Sequence, residues 1–377
     1  MNKFEEAILV TKPIIPSLKD LNPILEDIFA KKWVTNHGEK HNLFENRLKE
    51  ILKVKNVSVF NNGTIALLTA LKALDLPLGS EVITTPFTFA ATPHAISWNN
   101  LNPVFCDIEP NTMTIDPSKI EEQITDNTSA ILPVHVYGFP CDVDKIDKIA
   151  KKHDLKVIYD GAHVFSSEID GVGIGNFGDI TMFSFHATKL FNSIEGGCLS
   201  YNNDGLRDKI YNLRNFGIIG EEEVVDIGIN GKMNEIQAAI GLLNLDLFEE
   251  EKNKRMKVRK SYIENLKDVE GIRIPKAPKN VTLSTQYFPI VIEDNFNISR
   301  DELYNRLKEY NVYTRKYFYP ICSDFEPYKV LKSSSEDNLP IANDIKNKVL
   351  CLPFYGELNK DTVDKICEII KESNYHD

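Results

Sequence analysis

The sequence predicts an α/β protein with one large domain, built on a mostly parallel seven-stranded sheet wound with helices, and a smaller α+β lobe after it. Three observations carry this. Between residues 57 and 205 short apolar runs alternate with helix-patterned segments, the mark of a wound sheet rather than a sandwich. From Met233 to Leu266 runs a long stretch of helix formers with few breakers. With 377 residues, the chain has room for two or three domains.

The strand candidates, in order, are Val57–Phe60, Glu81–Thr85, Pro103–Asp107, Ala130–His135, Lys156–Tyr159, Asp179–Phe185 and Gly197–Tyr201. Several are apolar almost throughout, as strands covered on both faces must be. Thr64–Leu74 and Val143–His153 carry apolar residues at helical spacing between them. The Met233–Leu266 helix, rich in charge after Phe248, leads out of the first domain, so the division falls at residues 1–245 and 246–377. In the second part Gln286–Ile292 and Asn311–Tyr313 read as strands, and Arg300–Tyr310 and Asp361–Lys371 as helices.

Composition narrows the function. Acids outnumber bases 55 to 44, for a net charge of −11, so a nucleic-acid backbone would be repelled and no nucleic-acid partner is expected. The six cysteines contain no CxxC pair and read as reduced thiols; among His37, His94, His135 and His153 no pair has metal-ligand spacing on one helix, and no metal is expected. Acids stand near the start where a signal peptide needs an apolar run, and no stretch approaches the ~20 apolar residues of a membrane helix. A cytoplasmic protein with no membrane partner is expected.

Three motifs offer chemistry. Asn62, Gly63 and Thr64 lie between a strand and a helix, where a glycine and the orphan N–H groups of a helix N-terminus suit a phosphate; the same triplet is also an ordinary turn with an N-cap. Asp160, in the run Tyr159, Asp160, Gly161, Ala162, His163, stands at the C-terminal end of a central strand, where open α/β sheets place ligands. Its carboxylate could hold a cationic ring nitrogen or merely cap the local loop. Lys189 closes the run Ser184, Phe185, His186, Ala187, Thr188, Lys189, just past a hydrophobic strand and ahead of Glu195, Gly196 and Gly197. Such a lysine is either solvated or, in a crevice, a base able to form a Schiff base with an aldehyde.

Taken together with Phe87, Thr88 and Phe89, and with the run from Gly228 through Asn230 and Met233 to Gln237, these motifs resemble the DegT/DnrJ/EryC1/StrS family of nucleotide-sugar aminotransferases. The resemblance extends from Trp33 to the final helix. It implies a type I pyridoxal 5'-phosphate (PLP) fold working as a homodimer with shared active sites. Lys189 would be the catalytic lysine. Asp160 would pair with the cofactor's ring nitrogen, His163 would lie beside its phenolic oxygen and Phe89 would stack on its ring. Gly63, Thr64, Ser184 and, from the other subunit, Asn230 would meet its phosphate. His186 faces the same pocket as a substrate contact.

The implied reaction is ping-pong transamination with L-glutamate as donor. The likeness ranks C4 of dTDP-4-keto-6-deoxy-D-glucose first, for surface polysaccharide synthesis such as O-antigen. C3 of a dTDP-3-keto-6-deoxyhexose comes second, and a UDP-linked 4-keto sugar third. A regulatory protein that only binds PLP or a sugar is the non-enzyme alternative, disfavoured by the proton-shuttling Lys189. In the small lobe Arg315, Lys316, Tyr317, Phe318, Tyr319 and Pro320 stand where many members carry a His after a Tyr-x-Pro turn. Arg315, better suited than Lys316 to bidentate oxyanion binding, and Tyr317 are the substrate candidates there. Asn36, in the run Trp33 to Asn36, resembles a segment at the mouth of the active site.

Overall fold

In a computed structural model, which describes residues 2–374, the large domain forms around seven strands. These are β1 (Asn56–Phe60), β2 (Glu81–Thr84), β3 (Asn102–Phe105), β4 (Thr128–Leu132), β5 (Lys156–Asp160), β6 (Ile180–Ser184) and β7 (Gly197–Tyr201). Their order across the sheet is β1-β7-β6-β5-β4-β2-β3. Only β7 runs against its neighbours, pairing antiparallel with β1 and β6 while the other pairs are parallel. The C-terminal ends of β1, β2, β5 and β6 therefore share one edge, and the three sequence motifs meet there.

All five residues of β1 and of β7 are buried, consistent with layers on both faces. One face packs a core of Val57, Val59, Ile131, Phe183 and Phe185; the other packs Leu67, Leu71, Val82, Leu132 and Leu199. The helices of eight residues or more are α1 (Leu18–Lys31), α2 (Glu39–Leu52), α3 (Gly63–Ala73), α4 (Ala91–Trp98), α5 (Val143–His153), α6 (Leu206–Leu213), α7 (Glu235–Leu266), α8 (Arg300–Glu309) and α9 (Lys360–Glu372). Helix α7, about 48 Å long at 1.5 Å per residue, starts with a capping box between Asn234 and Gln237. Its first half gives Ala238, Leu242, Leu245 and Phe248 to the large core, and its second half gives Val258, Tyr262 and Leu266 to the small one.

The small lobe is a three-stranded antiparallel sheet, β8 (Ile272–Arg273), β9 (Phe288–Ile292) and β10 (Val349–Leu352), with β9 central and α8 and α9 packed on it. The division expected at residues 245 and 246 falls within α7, the helix expected to lead out of the first domain. The opening residues, placed in the large domain, pack instead on the small lobe: Phe4 and Ile8 lie on its core, their N–H groups donating to Tyr310 and Asn311 carbonyls at 3.1 and 2.9 Å. Asn311–Tyr313 forms no strand, because Val312 finds only a single-residue bridge, to Ile8. All six cysteines are buried and unpaired. Among the described residues no helix is long and apolar enough to cross a membrane.

Candidate active site

At the shared strand edge, where the two lobes meet, lies a cavity of about 680 Å³. Asp160, Lys189, His163, Ser184, Gly63 and Phe89 all line it, so residues scattered over 127 positions converge on one space.

Asp160 ends β5 and is 4% exposed. One carboxylate oxygen accepts from the Ala162 N–H at 3.0 Å, the other from the Thr92 hydroxyl at 2.8 Å. Thr92 is in turn 2.9 Å from the Thr88 hydroxyl. Burial pushes the carboxyl above its usual pKa, opposed by these bonds and by the Lys189 charge. Burial likewise lowers Lys189 to about 8, against the attraction of Asp160. His163 is buried, and its Nδ1 accepts from the Tyr137 N–H at 3.2 Å, which leaves the neutral ring its proton on Nε2. Burial first, and the Lys189 charge second, hold that ring neutral.

Helix α3 begins at the cavity. Asn62 caps it by accepting from the Ile65 N–H at 2.8 Å, which leaves the first-turn N–H groups of Gly63 and Thr64 without an acceptor among the described residues. A Cβ on Gly63 would come within 3.1 Å of the Ser184 Cβ and 3.2 Å of its Oγ, filling the space these donors and the Ser184 hydroxyl share. A Cβ on Gly197 would sit 2.7 Å from Gly63 Cα, so the bare backbone of β7 is what lets α3 seat there. Phe89, 64% exposed, lines the same cavity. His186 is exposed at the rim, its Nδ1 2.8 Å from the Thr188 hydroxyl and its Nε2 3.5 Å from Glu195.

These residues fit pyridoxal phosphate by their own chemistry. A buried, acceptor-only carboxylate awaits a cationic donor, an amine of lowered pKa awaits an aldehyde, and a helix N-terminus with a hydroxyl beside it awaits a phosphate.

Other expected contacts lie elsewhere. Asn230 is exposed and does not line this chain's own cavity. Its loop is pinned through Gly231, which donates to the Arg214 carbonyl and accepts from the Asn61 N–H, both at 2.9 Å. Asn36 is also exposed and outside the cavity, in a segment fixed to the start of α7 by the Glu235 N–H on the Val34 carbonyl at 3.0 Å. In the small lobe Tyr317 lines the cavity while Arg315 stands exposed beside it. The Lys316 ammonium is engaged by Asp301 at 2.6 Å and lies over the Tyr304 ring, whereas the Arg315 guanidinium has no acidic partner among the described residues.

Sequence reasoning missed Thr92, Gln286, Tyr287 and Phe318. Thr92 sits in the first turn of α4, fully buried beneath the cavity, and its tie to Asp160 spans 68 positions of chain. Tyr287 lies edge-on to His163 with ring centres 5.1 Å apart, and Phe318 is stacked on that His at 6.2 Å. Both come from the small lobe side, far along the chain, and no local pattern points to them.

With a lysine just past a sheet strand and a buried aspartate lining one cavity at the lobe junction, the chain is a PLP-dependent aminotransferase of the type I fold. The chain belongs to the DegT/DnrJ/EryC1/StrS aminotransferase family, which matches residues 18–371. It is 46% identical over 368 residues to dTDP-4-amino-4,6-dideoxy-D-glucose transaminase of Shigella dysenteriae, covering 98% of this chain and 99% of that one. It is 33% identical over 342 residues to GDP-perosamine synthase of Escherichia coli O157:H7, covering 90% and 92%. Among solved structures, DesI in the presence of its TDP-sugar product superposes with a TM-score of 0.93 at 33% identity, covering 99% of this chain and 94% of that one.

Proposed function

We propose that this enzyme transfers an amino group from L-glutamate to C4 of dTDP-4-keto-6-deoxy-D-glucose, giving dTDP-4-amino-4,6-dideoxy-D-glucose and 2-oxoglutarate, and that it works as a homodimer. The observation that carries the substrate is the 46% identity, along nearly the whole length of both chains, to a transaminase named for that product. The GDP-perosamine synthase relative stands at 33%, and a dTDP-3-amino-3,6-dideoxy-alpha-D-galactopyranose transaminase of Aneurinibacillus thermoaerophilus at 30%.

When bound, pyridoxal phosphate supplies an aldehyde for the amine and a cationic ring that draws electrons from the substrate carbon. Asp160 would hold the ring nitrogen and keep it protonated, and Phe89 would cover one ring face. The Nε2–H of His163 would donate to the phenolic oxygen. The Gly63 and Thr64 N–H groups, the Ser184 hydroxyl and Asn230 of the partner subunit would hold the phosphate. Lys189, at a pKa of about 8, is partly neutral near that pH, and only the neutral amine is a nucleophile or a base. Its Nζ takes a proton from the donor's carbon and returns one to the sugar carbon in the second half-reaction. Arg315, Tyr317, His186 and Asn36 would contact the substrate, with the unpaired guanidinium of Arg315 offered to a carboxylate or diphosphate.

Shared sites are supported by the exposure of Asn230 outside its own cavity. Next to its loop lies an apolar groove of about 530 Å³ with Leu78, Trp98 and Ile227 each about four-fifths exposed. A patch of that kind marks a protein contact, and a second copy of this chain is the partner the exposed Asn230 calls for.

The test is to incubate the purified enzyme with L-glutamate and dTDP-4-keto-6-deoxy-D-glucose. 2-Oxoglutarate and a C4-aminated product are expected by mass and NMR. No 2-oxoglutarate, or amination of a C3-keto or UDP-linked sugar alone, would overturn the reading.

A further inference from the structure

The peptide groups on both sides of Lys189 are taken by one side chain. Gln286 accepts from the Leu190 N–H through Oε1 at 2.6 Å and donates from Nε2 to the Thr188 carbonyl at 3.1 Å. This is the one orientation of the amide that gives each backbone group a complementary partner. Those groups belong to the two peptide planes that meet at the Lys189 Cα, so the pair of bonds sets the direction in which the lysine leaves the backbone. Gln286 is 1% exposed and Leu190 is fully buried, so losing the bond to the Leu190 N–H would leave a buried backbone donor without its partner.

Gln286 also sits on the strap that joins the lobes. Upstream, Val281–Thr282 pairs with Glu168–Ile169 of the large domain; downstream, β9 is the central strand of the small sheet. The adjacent Thr285 carbonyl accepts from Arg255 at 3.2 Å, and Arg255 is paired with Glu251 at 2.6 Å. Glu251 accepts in turn from the Gly356 N–H of the small lobe at 2.9 Å. On the other side Tyr287 points into the cavity against His163. Consecutive side chains thus reach the lysine turn and the cofactor space.

We infer that Gln286 is a positioning residue, which aims Lys189 by holding both of its peptide groups and makes that aim depend on the seating of the small lobe. The inference rests on the reading of Lys189 as the base. Gln286→Met, similar in length and unable to make either bond, should lower kcat roughly 10–100-fold, the scale set by a misplacement of about 1 Å, and leave KM for the nucleotide sugar within about twofold. The pH midpoint of the visible absorbance of the holoenzyme should move. In the cofactor-free protein the Leu190 amide should exchange about tenfold faster or more, with the strands of the large sheet unaltered. Gln286→Glu serves as the second variant. Its ionised form lacks the donor to Thr188, and protonation restores it, so its activity relative to the unsubstituted enzyme should recover as pH falls. Unchanged kcat and absorbance titration in either folded variant overturns the inference, as does a loss confined to KM. Turnover retained by Lys189→Ala would instead remove the reading on which it rests.

Discussion

Asp160→Asn separates holding the cofactor from holding the fold. The carboxylate makes two internal bonds, from the Ala162 N–H and the Thr92 hydroxyl. An amide can keep both. Its oxygen still accepts from Ala162, and its NH2 donates to Thr92, whose hydroxyl turns to donate to Thr88 at 2.9 Å. The charge removed is one that burial already disfavours. Thermal stability of the cofactor-free protein should therefore stay within about 1 kcal/mol of the original, or rise. The holoenzyme loses a charge-assisted hydrogen bond worth about 1.5–3 kcal/mol, so its cofactor dissociation constant should rise roughly 10- to 150-fold. Turnover at saturating cofactor should fall about 10²–10³-fold, as when a preorganised charged group is deleted from other active sites. The assays are a cofactor titration followed by absorbance, a melt of the cofactor-free form, and 2-oxoglutarate release. Undiminished affinity and rate would mean that another acid serves the ring. A collapse of the cofactor-free melt would make Asp160 a structural residue.

Lys189→Ala and Asn230→Ala test the shared site together: each should be weak or inactive alone, and equal mixtures allowed to exchange subunits should regain about a quarter of the original activity, from the one intact site in each mixed dimer. No recovery on mixing, with exchange verified by mass, would place Asn230 in its own subunit's site or outside any. Arg315→Ala should raise KM for the anionic substrate roughly tenfold or more, whereas Lys316→Ala, which removes an ammonium already held by Asp301, should leave KM near its original value; the reverse order in steady-state kinetics would exchange their roles. His37, half-buried beside Arg214, has its pKa lowered from 6.5 to about 4, chiefly by burial and then by that guanidinium. Between those values the unfolded chain binds more protons than the folded one, so this contribution to stability is full above pH 6.5 and is lost as pH falls toward 4. Urea midpoints over that range should drop less steeply in His37→Gln, and an equal slope would remove His37 as the cause.

The large sheet was legible because its strands are apolar on both faces and each is bounded by turn residues; all seven runs coincide with observed strands to within a few residues. Helices α1 and α2 were not, since α1 carries Pro23 within it and α2 mixes charge into its successive turns. Strand β10 is a four-residue apolar run whose strand character comes from pairing with β9 and a bridge to Arg315, and no period can be read in so short a window. Asn311–Tyr313 failed for the opposite reason, as β-favouring residues with one residue to pair with. Site candidates at strand ends could be named because fold topology assigns ligands to that edge. Gln286 was not, for its two bonds cross almost a hundred positions of chain and nothing near it in sequence marks it.

The cavity's electrostatics tie these results together. One cause, burial, pushes Asp160 up and Lys189 down, so in the bare chain both groups are drawn toward neutrality despite their mutual attraction. A fixed cation against Asp160 would reverse the first shift, because an opposite charge stabilises the carboxylate, and would deepen the second, because a like charge disfavours ammonium. The same ligand that Asp160 is built to hold thus makes Lys189 a freer base at neutral pH. That coupling works only while the amine is aimed between the two, which is where the strap through Gln286 enters: a lobe displaced by a fraction of a residue length would leave both pKa shifts nearly intact and still misdirect the proton.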